Sequence, residues 1–373
     1  MKIGVPKEIK NHEYRVGLTP AAVGELVRHG HQVLVQASAG AAIGFNDSDY
    51  QRAGAEIATD AESVFRESEL IVKVKEPQGE ERQWLGPRHT LFTYLHLAPD
   101  RAQTHDLLDS GATCIAYETV TDPQGRLPLL APMSEVAGRL AIQAGASALE
   151  RSRGGRGVLL GGVAGVEPGR VLIIGGGVVG FNAAQMAVGL GADVTVLDQS
   201  LDVLRTLERH FGNRVKTLYS TAETIEQQAL AADLLIGAVL LPGAAAPKVV
   251  SADLVRRMKE GSAIVDVAID QGGCIATSRP TTHADPTFIV DGVVHYCVAN
   301  MPGAVARTST LALNHATLPF VLALADQGVG PALKADGHLR QGLNICRGRL
   351  TNGSVAQAHG MSSESPEQVL ADL

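Results

Sequence analysis

Three polar side chains close short apolar runs. Lys75 closes Leu70-Ile71-Val72-Lys73-Val74-Lys75, His96 closes Leu91-Phe92-Thr93-Tyr94-Leu95-His96, and Asp270 closes Ala263-Ile264-Val265-Asp266-Val267-Ala268-Ile269-Asp270. In open α/β sheets ligands collect beyond the carboxyl ends of the strands, so a polar residue ending an apolar strand stands where chemistry is done. A lysine there fixes a cation beside a carboxylate or carbonyl, a histidine exchanges protons near neutral pH, and an aspartate orients water or an amine. Each residue type also has an ordinary use. Lys75 reads equally as a solvated strand end, His96 as a satisfied core histidine, and Asp270, before Gly272-Gly273, as a turn former. Arg15, in Glu13-Tyr14-Arg15-Val16, reads on its own as a surface charge.

A stronger signal lies mid-chain. Val171-Leu172-Ile173-Ile174-Gly175-Gly176-Gly177-Val178-Val179-Gly180 is an aliphatic strand running into G-x-G-x-x-G, followed by a helical pattern, a second strand and Asp198, 18 residues past Gly180. Gly175 permits the tight turn, Gly177 lets a pyrophosphate approach the backbone, and Gly180 lets helix pack on strand. Strand, helix and acid together make the pattern specific. Asp198 accepts from a ribose 2′-hydroxyl and repels a 2′-phosphate, and neither Gln199 nor Ser200 supplies a cation, so NAD is the expected cofactor, with a flavin as the alternative on the same fingerprint.

The elements that must position these groups alternate between aliphatic runs and helical patterns, which predicts an α/β fold with parallel sheets. Strands are predicted at residues 2–5, 32–36, 70–75, 90–96 and 112–117, and then at 171–174, 193–197, 214–218, 234–239, 263–269, 287–290 and 294–298. A helix over residues 132–150, with Pro132 in its first turn and Ser134 as its cap, leads from one domain to the next. The glycine-rich segment 152–169 reads as a surface loop with a short buried hairpin. Further helices are predicted at 178–190, 201–211, 221–231, 251–259 and 308–327, then a short helical region at 331–340 before a frayed polar tail. The result is two Rossmann-like domains: a discontinuous substrate domain of residues 1–133 and 305–373, and an NAD-binding domain of residues 134–304. The two helices that link them imply a hinge, with an active-site cleft between the domains that NAD closes.

Composition narrows the function classes. At 373 residues the chain is too long for a lone small binding module, and 41 glycines with only 4% aromatics describe an aliphatic core with many tight turns. Its charge, 32 Lys and Arg against 39 Asp and Glu, is spread without blocks, so neither nucleic acid nor an anionic membrane is an expected partner. Cys114, Cys274, Cys297 and Cys346 are scattered, which reads as reduced thiols in the cytoplasm. No signal core or membrane span is expected, and His29-Gly30-His31 lacks further metal ligands nearby in sequence.

The chain resembles the alanine dehydrogenase family, amino-acid oxidoreductases related to the NAD-binding subunit of proton-translocating transhydrogenase. The resemblance spans residues 1–358. It is carried by Gly4-Val5-Pro6-Lys7-Glu8, Glu13-Tyr14-Arg15-Val16, Val74-Lys75-Glu76-Pro77, Thr93-Tyr94-Leu95-His96-Leu97-Ala98, Pro132-Met133-Ser134-Glu135-Val136-Ala137-Gly138, Asp266-Val267-Ala268-Ile269-Asp270-Gln271-Gly272-Gly273 and Val298-Ala299-Asn300-Met301-Pro302-Gly303. It implies that Arg15 and Lys75 bind substrate, that His96 exchanges the proton, and that Asp270 is the second catalytic residue. It also implies NAD contacts at Ser134, Val178, Val179, Asp198, Ser220, Val239, Leu240, Val267, Ala268, Ile269, Asp270, Val298, Ala299, Asn300 and Met301, with Arg279 close to the cofactor.

By the same resemblance the reaction is the reversible oxidative deamination of L-alanine to pyruvate and ammonia, in a homo-hexamer. Val203 replaces a basic residue that relatives often carry, and Ala323 and Gln327 are not a metal pair, so no metal is expected. A transhydrogenase-type NAD-binding subunit or a non-catalytic NAD-sensing protein of the same fold are the alternatives.

Overall fold

The computed structural model describes residues 1–239 and 246–372. They form two compact units, residues 1–133 with 305–373, and residues 134–304. In chain order the strands are β1 (Lys2–Val5), β2 (Gln32–Gln36), β3 (Glu56–Ala58), β4 (Leu70–Val72), β5 (Thr90–Thr93) and β6 (Thr113–Ala116) in the first unit. The second unit holds β7 (Arg170–Ile174), β8 (Asp193–Asp198), β9 (Val215–Tyr219), β10 (Leu234–Gly237), β11 (Ala263–Asp266), β12 (Thr287–Val290) and β13 (Val293–Tyr296), and the chain then returns to the first with β14 (Leu343–Cys346) and β15 (Arg349–Leu350).

Among the described residues the first sheet has the order β15-β14-β6-β5-β4-β1-β2-β3 and the second β12-β13-β11-β10-β7-β8-β9. All neighbours are parallel except β14 with β6, β15 with β14, and β12 with β13. Both sheets thus reverse direction of strand order beside their first strand, at β1/β4 and at β7/β10. A crevice opens beyond the carboxyl ends at such a switch point. The strands that flank it are aliphatic because both faces are covered: every residue of β4 and β10 is buried.

Several elements depart from the sequence pattern. Strands β4, β5 and β11 stop before Lys75, His96 and Asp270. The amides of Val74 and Lys75 donate to the Glu8 carboxylate (2.7 and 3.2 Å), and those of Leu95 and His96 donate to Glu118 (3.1 and 2.6 Å to Oε1), so side chains replace the neighbouring strand as acceptors. After Asp266 the chain turns into a 3-10 helix, Val267–Gln271. β3 is absent from the sequence reading because three residues show no period, and β14 and β15 lie between the helical region at 331–340 and the polar tail at 362–366, where the sequence reading assigns no element.

Helix α1 (Ala131–Ala148) already includes Ser134 in its first turn, so Ser134 is not its cap. The turn in segment 152–169, with Val163 bridged to Val166, is exposed rather than buried. Helix α2 (Val178–Gly189) follows the glycines, and α3 (Ala306–Gln327) crosses the first unit. With the turn before it, α3 is long and apolar enough to span a membrane by length and composition. Its buried face nevertheless carries Ser309, Thr310, Asn314 and Thr317, and Thr310 and Asn314 accept from the amides of Val16 and Thr19 (3.3 and 3.0 Å), the chemistry of a core helix.

Candidate active site

In the first unit the strand ends beside β1/β4 gather an ionic cluster. Arg15 is buried, not a surface charge: its Nε and Nη2 donate to the two carboxylate oxygens of Glu13 (2.7 and 2.6 Å), and Nη1 meets the Met133 sulfur at 3.1 Å. Burial opposes its charge, but the Glu13 carboxylate outweighs that and holds the guanidinium pKa above its usual value. Such a bidentate pair fixes the orientation of the cation. Lys73, fully buried, bridges Glu8 (3.0 Å) and Glu81 (2.7 Å). Lys75 is half-buried, and its carbonyl accepts from the Thr93 hydroxyl at 3.0 Å.

His96 is exposed and takes φ +49°, the left-handed region that a non-glycine residue enters only when held there. Glu118 holds it through the amides of residues 95 and 96. Its ring lies 5.7 Å from that of Tyr94, and its Nδ1 is 3.8 Å from Glu76 Oε2. Glu8, Glu13, Glu76 and Glu118, the carboxylates that fix these groups, escape the sequence reading. The available signal was that each follows soon after an aliphatic run or adjoins a selected cation.

In the second unit the fingerprint residues sit at the carboxyl end of β7. Gly175 has φ +99°, and a Cβ there would stand 2.5 Å from the Ala238 carbonyl oxygen at the end of β10. A Cβ on Gly180 would stand 1.8 Å from the Gly175 carbonyl oxygen, while one on Gly177 meets nothing within 4 Å. Gly177 is the N-cap of α2 and gives no side-chain cap, so the first-turn amides of that helix face an open approach. Asp198, ending β8, accepts from the amides of Gly176 and Ser200, both at 2.7 Å. Ser200, not Asp198, caps the following helix. Val203 lies against Gly176.

The other expected contacts fall along the same sheet edge. Ser220 follows β9 and donates its amide to the Asp198 carbonyl at 3.0 Å; Val239 follows β10; Val267, Ala268, Ile269 and Asp270 follow β11; Val298, Ala299, Asn300 and Met301 follow β13. Asp270 is exposed and accepts from the Asn300 amide at 3.2 Å, with Asn300 at φ +62°. Arg279 stacks its guanidinium 4.2 Å above the Phe288 ring. Leu240 lies outside the described residues. An uncapped helix N-terminus, open space at Gly177 and an acid at the end of the second strand together fit a dinucleotide with an unphosphorylated 2′-hydroxyl.

All four cysteines are buried and free, and burial raises the thiol pKa of Cys297 to about 11 and those of Cys114 and Cys274 further. His29 and His31 do find a partner, far away in sequence: Asp326 on α3, at 3.0 and 2.7 Å. No cluster of three His, Cys, Asp or Glu with metal-holding geometry occurs among the described residues.

Two switch-point sheets, one carrying a dinucleotide fingerprint and the other a cationic and imidazole cluster, define a Rossmann-like α/β protein of the dinucleotide-dependent kind. The N-terminal and C-terminal domains of the alanine dehydrogenase/PNT family match residues 4–137 and 141–353. The chain is 62% identical to the alanine dehydrogenase of Halomonas elongata over 97% of both chains, and 53% identical to that of Mycolicibacterium smegmatis over the full length of both. It superposes on a solved L-alanine dehydrogenase with a TM-score of 0.94 at 54% identity, covering 96% of this chain and 99% of that one. A transhydrogenase structure from Sinorhizobium meliloti, at 21% identity, 95% and 100% coverage and a TM-score of 0.82, shares the fold. The chain belongs to the alanine dehydrogenase/PNT family.

Proposed function

We propose that the protein catalyses the NAD-dependent, reversible oxidative deamination of L-alanine to pyruvate and ammonia. The observation that carries this reading is the set of Arg15, Lys75 and His96 at the carboxyl edge of the first sheet, in a chain similar over its full length to enzymes named alanine dehydrogenase. A transhydrogenase-type NAD-binding subunit has no need of such a set.

Gly175, Gly177, Gly180 and the first turn of α2 would hold the NAD pyrophosphate, and Asp198 the adenosine ribose. When bound, NAD supplies the one chemistry the side chains lack, acceptance of a hydride from the substrate Cα. Arg15, locked by Glu13, offers a fixed cation to the substrate carboxylate, and Lys75 holds the amino or keto side. His96, through Nε2, takes a proton from the water that adds to iminopyruvate and returns one to the departing amine. Asp270 is the second acid-base group. The balance is L-alanine, NAD and water giving pyruvate, ammonium, NADH and a proton. Most of the acceleration in such a site comes from orientation and placed charge.

By family likeness the enzyme is cytoplasmic and a homo-hexamer, which light scattering tests. The decisive assay is direct: protein with L-alanine and NAD at alkaline pH generates NADH absorbance, and no absorbance overturns the assignment. His96→Ala abolishes turnover and leaves NAD affinity intact; full activity in that variant removes His96 from the mechanism.

A further inference from the structure

Glu76 is used by nothing in the reaction so far, yet its setting is unusual. One oxygen, Oε1, is paired with the Lys10 ammonium. The other, Oε2, is buried and has no hydrogen-bond partner among the described residues. Buried carboxylate oxygens are normally satisfied by protein or water, and one without a protein partner is open to a further hydrogen bond. One candidate is the His96 ring, whose Nδ1 lies 3.8 Å away.

We propose that Glu76 is the carboxylate partner of the His96 imidazole, a positioning residue that receives the Nδ1 proton in a hydrogen bond and leaves Nε2 as the atom that exchanges protons with substrate. This rests on the reading of His96 as the proton-transfer group. The approach required is about 1 Å, from 3.8 Å to an ordinary hydrogen-bond length, and catalytic hydrogen bonds are commonly long before substrate binds. The main chain of His96 need not move, because Glu118 already pins its amide at 2.6 Å; rotation of the side chain suffices.

Glu76 is suited to the task because it is ionised. Burial opposes its charge, but the Lys75 and Lys10 ammonium groups outweigh that and hold its pKa below the usual carboxylate value. Within this unit the imidazole faces Glu76, with its two lysines, and the Tyr94 ring, while Glu118 holds the amide of residue 96. A carboxylate at this distance raises the pKa of a solvent-exposed imidazole by about 0.5–1 pH unit, and fixes which ring nitrogen carries the proton of the neutral form.

The test reads His96 itself, without turnover. Diethylpyrocarbonate modifies neutral imidazole, and its rate at His96, followed against pH by mass spectrometry of the tryptic peptide 89–101 from the full chain, gives the titration midpoint. The expected result is that E76Q lowers the midpoint by about 0.5–1 unit, while E76D, which keeps the charge, lowers it by less than half as much. An unchanged midpoint in E76Q, or an equal fall in E76D, overturns the proposal. Wild-type protein gives an independent reading should E76Q fail to fold: about 1 M salt screens the pair and lowers the midpoint, and a salt-independent midpoint overturns it. The pH profile of alanine oxidation moves with the midpoint if His96 is the proton carrier. A shifted midpoint with an unshifted profile upholds the Glu76–His96 pair and instead refutes the role given to His96.

Discussion

Gly177 and Gly180 lie three residues apart in the same fingerprint, yet substituting alanine at each is expected to break different things. At Gly180 the added Cβ stands 1.8 Å from the Gly175 carbonyl oxygen and 2.9 Å from its carbon. Both obstacles are main-chain atoms at the junction of β7 and α2, so relief requires the helix to move off the strand by more than 1 Å, roughly the shortfall from normal contact. Overpacking of this kind costs about 1–3 kcal/mol, and for a domain of this size each kcal/mol lowers Tm by about 2–4 °C. Gly180→Ala should therefore melt about 2–12 °C below wild type.

At Gly177 the added Cβ meets nothing within 4 Å, and φ is −64°, which alanine adopts freely. The loss of a favourable N-cap residue and the gain from a stiffer unfolded chain nearly cancel, at about 0.5–1 kcal/mol each. Gly177→Ala should keep its Tm within about 2 °C and yet bind NAD at least ~10-fold more weakly, because the methyl group occupies the approach of the pyrophosphate. Thermal melts with calorimetric titration of NAD measure both. Wild-type NAD affinity in Gly177→Ala would refute the assignment of that space to the cofactor; wild-type stability in Gly180→Ala would refute the close strand–helix contact.

Asp198→Ala removes the ribose acceptor and the charge that repels a 2′-phosphate, so NAD binding weakens about 10-fold and the preference over NADP narrows; unchanged discrimination in titrations of both cofactors would count against Asp198. Glu118→Ala orphans the amides of Leu95 and His96 and frees a left-handed backbone, at a cost of about 1–3 kcal/mol, and kcat should fall further than KM rises; steady-state kinetics beside thermal melts separate the two effects. His89 and His295 are each buried and neutral, His89 with Nδ1 accepting from the Gly86 amide and Nε2 on the Phe65 carbonyl, His295 with Nδ1 on the Val293 carbonyl and Nε2 on the Thr277 hydroxyl. Burial, the larger influence in both, depresses their pKa values below 6.5. A depressed pKa contributes stability above the unfolded value that is lost as pH falls toward the folded one, so Tm should drop as pH is lowered through the window below about 6.5. A flat Tm across that window would contradict it.

Lys75, His96 and Asp270 stood out in the sequence because aliphatic runs ending in polar residues are local patterns, although the strands themselves end earlier. The fingerprint was legible for the same reason: strand, glycines, helix and acid are contiguous. What the sequence hid is non-local. Glu8 reaches the amide of Lys75 from beyond the end of another strand, Glu118 reaches that of His96 from beyond β6, and Arg15, which looks exposed in isolation, lies against Met133, 118 positions away. The same holds for His31 and Asp326, which are 295 positions apart. β14 was unreadable because its four residues find their place through β6, a strand more than 200 residues earlier, and through the rest of the first unit's core.

Strands β7 to β13 are contiguous in sequence, so the second unit has its whole sheet once residue 304 has left the ribosome. The first unit begins earlier and finishes later. Until β14 is synthesised, β6 is an unpaired edge, and until α3 emerges the amides of Val16 and Thr19 lack their partners on Thr310 and Asn314. A nascent chain stalled between the two units therefore carries one finished domain and one with an open, aliphatic strand edge, the kind of surface that pairs with other chains.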